Sequence, residues 1–265
     1  QYFRALAQYI EVRFDMSASD AAALTAAIKE ALGTDVTMHT AEAYAEKLRA
    51  FLPRHQAENG FQIITGDAAR AAAEYAAKTA YKETDATTYQ AMEALVHNLN
   101  TMNSRAGAQV PFSSLNYGTD TSPEGRMAVH NLLRATEAGL GDGETPIFPV
   151  QIFKVKEGVN YNEGDPNYDL FRHALRCSAK RLFPNFSFLD APFNLQYYKP
   201  GDYNTEVAYM GCRTRVMGNV FDNTKEVTCG RGNLSFTSIN LPRIGIEAKG
   251  DMKTSVSYTH LTLPT

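Results

Sequence analysis

The chain has 265 residues, 44% hydrophobic, 21% charged and 11% aromatic, ordinary globular proportions that can fill a sizeable core. A formal net charge of -3, with no block of like charges and no basic stripe, gives no electrostatic case for a nucleic-acid partner. No apolar run is long enough to span a bilayer and the first residues lack a signal-peptide pattern, so a cytoplasmic protein with no membrane partner is expected.

The first hundred residues predict helices. Ser19 and Asp20 can cap an alanine-rich helix that stops near Gly33. Thr40 can cap a second helix, which Pro53 terminates for want of an N–H. Asp67 opens a third, AARAAAEYAAKTAYKE, which breaks near Asp85 and resumes as TTYQAMEALVHNLNTM. There Met92, Leu95, Leu99 and Met102 recur at helical spacing as a packing face, and His97, Asn98 and Asn100 are ordinary helix-end residues.

The texture changes after Gly107. Residues 110–115 predict a short buried strand. Ser122, Pro123 and Glu124 then supply an N-cap, a first-position proline and an acidic first turn for a helix carrying Met127, Leu132, Leu133 and Leu140, with glycines at 139, 141 and 143 after it. Residues 146–155 predict a second strand. Asp165-Pro166 starts a helix with Leu170, Phe171, Ala174, Leu175, Ser178 and Leu182 on one side, and residues 206–210 and 234–240 are further candidate strands. Short apolar strands alternating with helices argue for an α/β fold around a largely buried sheet. The expected organisation is a mainly helical region at 1–104 and an α/β region at 105–251. Residues 247–251 look like a helix beginning, whereas 252–265 resemble translated adapter or vector sequence and are set aside as a non-native tail.

Three cysteines, Cys177, Cys212 and Cys229, stand far apart with no Cys-x-x-Cys pair and no histidine pattern, so neither a metal site nor a disulfide framework is expected. Cys177 lies beside a helix stripe and belongs to the core. Cys229 sits incidentally in the loop VTCGRGN. There, residues 230–233 could hold a phosphate through backbone amides but lack the P-loop pattern. The helix start at Ser122 could take an anion, yet Glu124 already occupies that dipole. Cys212 follows Gly211 after an apolar strand, in AYMGCRTR. A glycine there permits a sharp turn and a close approach, and Arg213 and Arg215 would lower the thiol pKa if they point toward the sulfur. A nucleophile would need a base, and His130 and His173 show no signature for one. A metal ligand would need partners, and a thiyl radical would need a dry enclosure. Spacing leaves these roles, and an inert buried thiol, open.

Several segments together are far more specific: HNLNTMNSRAGAQVPFSSLNYGTDTSPEGRM (97–127), GDGETPIFPVQIFKVKEGVNYNEGDPNYDLF (141–171), KRLFPNFSFLDAPFN (180–194), YKPGDYNTEVAYMGCRTRVMGNV (198–220) and GRGNLSFTSINLPRIGIEA (230–248). From about residue 87 to 248 the chain resembles the anaerobic, glycyl-radical ribonucleoside-triphosphate reductases. The resemblance implies part of a ten-stranded α/β barrel, two half-sheets entered by a cysteine-bearing finger loop, preceded by a helical region. It implies that Cys212 carries the thiyl radical that takes hydrogen from C3′ of the ribose, after which the 2′-hydroxyl leaves as water. Met210 and Asn233 would line the same pocket, with Ser113 and Ser114 as contacts to the ribonucleoside triphosphate. Formate as reductant, nucleotide effectors, a radical S-adenosylmethionine activase and a homodimeric parent are implied as well. The family's glycyl-radical motif, its C-terminal zinc cysteines, its N-terminal ATP cone and the upstream cysteine of some members do not occur here. The expectation is therefore a catalytic subunit truncated at both ends that does not turn over alone and whose open strand edges favour aggregation. Two other readings are another glycyl-radical enzyme, a lyase or dehydratase, and a catalytically dead nucleotide-binding protein. The motif MGCRTR favours the reductase over the first.

Overall fold

The computed structural model describes residues 1–59, 64–103, 109–211, 214–216, 222, 224 and 239–262. The chain forms two compact units, Gln1–Thr228 and Cys229–Thr265.

The first unit opens with four helices, α1 (Tyr2–Arg13), α2 (Ala18–Leu32), α3 (Ala41–Asn59) and α4 (Gly66–Thr101). Ser17, ahead of the expected Ser19-Asp20 pair, caps α2. Its hydroxyl accepts from the Asp20 amide at 3.1 Å and donates to the Asp20 carboxylate at 2.7 Å, which places that charge in the first turn. Gly33 stops the helix as expected. Pro53 does not end α3. A proline inside a helix costs about 3 kcal/mol, but fully buried Leu48 and Leu52 precede it in the same helix and each such side chain returns about 1.5–3 kcal/mol by burial. Beyond it, the buried Gln56 side chain accepts from the Ile64 amide at 2.6 Å, tying Ile64 back to the helix. The break expected near Asp85 is also absent. α4 runs unbroken for 36 residues, about 54 Å at helical rise, and Asp85 is engaged by the Asn131 amide at 2.7 Å. The small side chains of Ala69, Ala72, Ala73 and Ala76 let α1 and α3 close on α4 around Leu6, Ile10, Ile28, Leu48 and Leu52. Farther along, α5 packs on buried Val96 with half-buried Tyr89 and Met92; of the expected face, Met92, Leu95 and Leu99 are half-buried and Met102 is 53% exposed.

Next come β1 (Ser114–Tyr117), α5 (Pro123–Ala138), β2 (Val150–Val155), α6 (Tyr168–Arg181), β3 (Asn185–Phe188), α7 (Pro192–Leu195), β4 (Ala208–Met210) and β5 (Thr214–Val216). β1, β2 and β3 form a parallel sheet in that order, with Tyr117, Phe153 and Phe186 side by side. β1 and β2 begin later than residues 110 and 146 because Pro111, Pro146 and Pro149 cannot donate to a ladder. β3 was not among the expected strands. α5 follows its sequence signals closely: the Ser122 hydroxyl accepts from the Gly125 amide at 3.0 Å, Pro123 leads and Gly139 ends it.

One face of the sheet is apolar. Phe153 and Val155 meet Val129 and Leu133 of α5 and Leu170, Ala174 and Cys177 of α6. Three of its buried polar groups are paired in series: Tyr117 donates to Gln151 at 2.6 Å and Gln151 to Thr136 at 2.8 Å. Leu175 and Leu182 of the expected α6 stripe are instead exposed. Cys177 is core, as expected; burial and then the Glu137 charge push its thiol up to about 11, an inert state. At the end of β1, Gly118 has φ +123°, and an added Cβ would sit 2.8 Å from the Lys154 carbonyl oxygen, so only glycine fits.

His173 on α6 gives this face a pH dependence. Its Nε2 lies 3.1 Å from the Glu137 carboxylate, with Arg176 and His130 beside the pair. Burial outweighs the Glu137 hydrogen bond and, with the Arg176 and His130 charges, holds the imidazole below its ordinary 6.5. As pH falls through the ordinary value, the unfolded chain takes the proton first, so stability is lost there and levels off once the folded imidazole titrates. Glu137 is raised by burial but drawn down further by hydrogen bonds from Arg176 and His173, ending below its usual 4.5, so its own contribution is lost only at lower pH. Thermal melts should show stability declining from about pH 7 to about pH 5, with His173→Gln flattening that limb; an unchanged limb in the variant would exclude His173 as its source.

The second unit, considered alone, contains α8 (Leu241–Glu247) and α9 (Met252–Thr262). Asn240 caps α8 by accepting from the Arg243 amide at 3.0 Å. Residues 247–251, expected to begin a helix, end one: Lys249 and Gly250 take positive φ and turn the chain. Most of the segment set aside as a tail is helical. The strand expected at 234–240 lies mostly outside the described residues, and Ile239 and Asn240 lead into α8 without strand structure.

Candidate functional site

Strand alternation sends Ser114 and Asn116 of β1, Ile152 and Lys154 of β2, and Asn185 and Ser187 of β3 to the sheet face opposite Phe153. A parallel sheet is ordinarily apolar on both faces. This face is largely polar, and a buried polar group must find a partner.

For Ser114, Asn116 and Lys154 the partner is the segment that leads into and forms the antiparallel hairpin of β4 and β5, which pairs Met210 with Thr214; the buried Ser187 hydroxyl has no partner among the described residues. Three ties bind the hairpin's first arm to the sheet. The Lys154 ammonium meets the Glu206 carboxylate at 2.6 Å, with the two side chains only 13% and 9% exposed. The Asn116 amide accepts from the Tyr209 N–H at 2.9 Å and donates to the Tyr209 carbonyl at 2.8 Å, reproducing with a side chain the double bond of a strand pair. The Ser114 hydroxyl accepts from the Gly211 N–H at 3.1 Å. β4 therefore crosses β1 in the opposite direction and ends beside Ser114.

Gly211 does what a glycine at that point was expected to do. Its φ is +62°, and an added Cβ would stand 3.0 Å from the Phe112 ring, which packs edge-on against Phe148. Met210 closes β4, half-buried. Ser114 reaches the hairpin, but Ser113 alternates to the other face, where its hydroxyl is buried without a hydrogen-bond partner among the described residues. Cys212, Arg213, Cys229 and residues 230–233, including Asn233, lie outside the described residues. Arg215 lies in β5, and its relation to the Cys212 sulfur falls outside the described residues. It donates to the Phe193 carbonyl at 3.1 Å and the Asn194 side chain at 3.3 Å and stacks over the Phe193 ring, so its charge serves α7. Glu124 occupies the α5 start as expected, accepting from the Met38 amide at 3.2 Å.

Asn116, Lys154 and Glu206 were missed in the sequence. The available signal was a polar side chain inside each of two apolar strand segments, LNY and QIFKV. Among the described residues, no group of three or more His, Cys, Asp or Glu side chains could hold a metal ion, and no helix is long and apolar enough to cross a membrane.

Comparison with known proteins places the whole arrangement. The family described as anaerobic ribonucleoside-triphosphate reductase matches residues 42–261. The chain belongs to that reductase family. It is 37% identical over 167 residues to the anaerobic ribonucleoside-triphosphate reductase of Escherichia coli (strain K12), covering 63% of this chain and 22% of that protein. With the reductase of the same name from Enterobacteria phage T4 it shares 36% over 170 residues, 64% of this chain and 27% of that protein. The Salmonella typhimurium reductase gives 36% over 173 residues, 65% and 23%. The chain thus spans about a quarter of the length of the curated reductases it matches. The hairpin strapped to the polar sheet face is the part of this reductase segment that carries MGCRTR.

Proposed function

We propose that this chain is the portion of an anaerobic reductase catalytic subunit that presents Cys212 to the ribose of a ribonucleoside triphosphate. The observation that carries the reading is the fastening of β4, up to Gly211, across the polar face of a parallel sheet by Asn116 and Ser114. In this reading the open edges of the three-stranded sheet receive the remaining strands of a ten-stranded barrel, and the polar face becomes its interior.

The side chains around the hairpin suit radical chemistry, since Asn116 and Ser114 are uncharged and redox-inert. The glycyl radical, formed elsewhere in the whole protein by a radical S-adenosylmethionine activase, supplies the unpaired electron. The Cys212 sulfur takes hydrogen from C3′, which labilises the 2′-hydroxyl. The overall exchange balances when formate is the reductant: the C2′–OH group, formate and a proton give C2′–H, carbon dioxide and water, formate yielding the electron pair. Met210 lines the pocket and the Asn233 amide orients a ribose hydroxyl. Ser114 keeps its own proton free to donate to the nucleotide while accepting from Gly211, whereas Ser113, on the opposite face, is not part of this pocket. Effector nucleotides, a zinc site and a homodimer complete the parent enzyme in regions beyond this chain.

In the full-length enzyme, Cys212→Ser should reduce deoxynucleotide formation to background while glycyl-radical formation, read by electron paramagnetic resonance, persists. Turnover retained by that variant would sink the reading.

A further inference from the structure

We infer that Asn116, assisted by Ser114, is a positioning residue that fixes the Met210-Gly211 end of β4 and thereby sets where the adjoining Cys212 stands. The inference rests on the proposed function and goes beyond it by assigning a role to a residue that never touches the reacting atoms.

β4 has only a short ladder of its own, three residue pairs with β5, in a two-stranded sheet separate from β1, β2 and β3. A strand so short does not hold its place by ladder bonds alone. Among the described residues, what references it to the three-stranded sheet, at the end nearest Cys212, is one carboxamide and one hydroxyl. The carboxamide is bidentate: with both Tyr209 N–H and Tyr209 carbonyl engaged, β4 can neither slide along β1 nor rotate about its own axis without losing a bond. Ser114 adds a third point two residues farther on, at Gly211. The Lys154–Glu206 pair anchors the other end of the segment and cannot substitute, since several rotatable bonds separate it from Gly211. Phe112 closes the opposite side of Gly211, so the glycine is held between a hydrogen-bond acceptor and an aromatic ring.

The test uses the full-length enzyme, activated, with three variants. For Asn116→Ala, kcat should fall about a hundredfold while KM for the nucleotide and the glycyl-radical content stay at the wild-type level, the size that a misplacement of about 1 Å carries. Ser114→Ala, which also removes a proposed nucleotide contact, should lower kcat less and raise KM as well. Asn116→Asp supplies a readout that a merely structural role would not move. A protonated carboxyl can donate and accept as the amide does, whereas the ionised form loses the donor and sets a charge against the Tyr209 carbonyl. The ratio of variant to wild-type kcat should therefore climb toward one as pH is lowered, with burial raising the pH at which it climbs. A wild-type kcat in Asn116→Ala overturns the inference. So does a loss that tracks radical content or KM, or a flat ratio in Asn116→Asp. If Asn116→Ala fails to accumulate as folded enzyme, the Asn116→Asp ratio decides alone. Cys212→Ser in the same background separates the two levels: activity surviving there defeats the proposed function itself, whereas a dead Cys212→Ser beside a fully active Asn116→Ala defeats only this inference.

Discussion

Lys154→Met is expected to destabilise the first unit by about 3–5 kcal/mol, the cost of leaving a buried carboxylate without its partner. Glu206 has one ammonium at 2.6 Å and a side chain only 9% exposed, so water cannot replace what the lysine supplies. The double variant Lys154→Met/Glu206→Leu should recover most of the loss, because removing both charges also removes their desolvation cost. Urea midpoints measured by helical circular dichroism would decide it, with unchanged slopes taken as the sign that stability alone has moved; the chain has no tryptophan to report instead. Added salt should leave the wild-type midpoint nearly unaffected by this pair, since buried charges are poorly screened. A single variant as stable as wild type would mean that Glu206 reaches solvent readily. Because Glu206 stands two residues before β4, the pair also anchors the start of the hairpin, and its loss should loosen that strand before the rest of the sheet unfolds.

The sequence was most legible where structure is decided within a few residues. Ser122, Pro123 and Gly139 bound α5 by local capping chemistry, and Gly211 provides the turn and the close approach that its place before Cys212 suggested. It was least legible where a distant partner decides. Pro53 and Asp85 carry local stop signals, yet Leu52, Gln56 and Asn131 override them through burial and pairing that no short window contains. On α4 periodicity picked out Met92, but the fully buried Val96 was not in the expected face, because α5 decides which apolar position is covered. The reductase family was readable from MGCRTR and its companion segments. The straps were not, because Asn116 and Lys154 become intelligible only once alternation puts them on one sheet face and β4 is laid across it.

Phe153→Ala should have an equally large effect from the other face of the same strand. Phe153 is fully buried on the central strand, with Tyr117, Phe171 and Phe186 rings at 5.7, 6.0 and 6.1 Å. Truncating it removes its burial and leaves a cavity that parallel strands and two packed helices cannot readily close, a loss of about 3–5 kcal/mol. The same urea transitions measure it, and a loss below about 1 kcal/mol would mean that α5 and α6 collapse into the space. Combined with Lys154→Met, the variant tests how the two faces of β2 are coupled. Neighbouring residues that share a backbone usually depart from additivity by about 0.5–3 kcal/mol. A combined loss smaller than the sum would show that the apolar face and the hairpin strap both act by holding β2 in register. Losses that add would show that the strap stabilises β4 alone, so that the position of the Cys212 hairpin could be altered by substitutions on the polar face without disturbing the core beneath it.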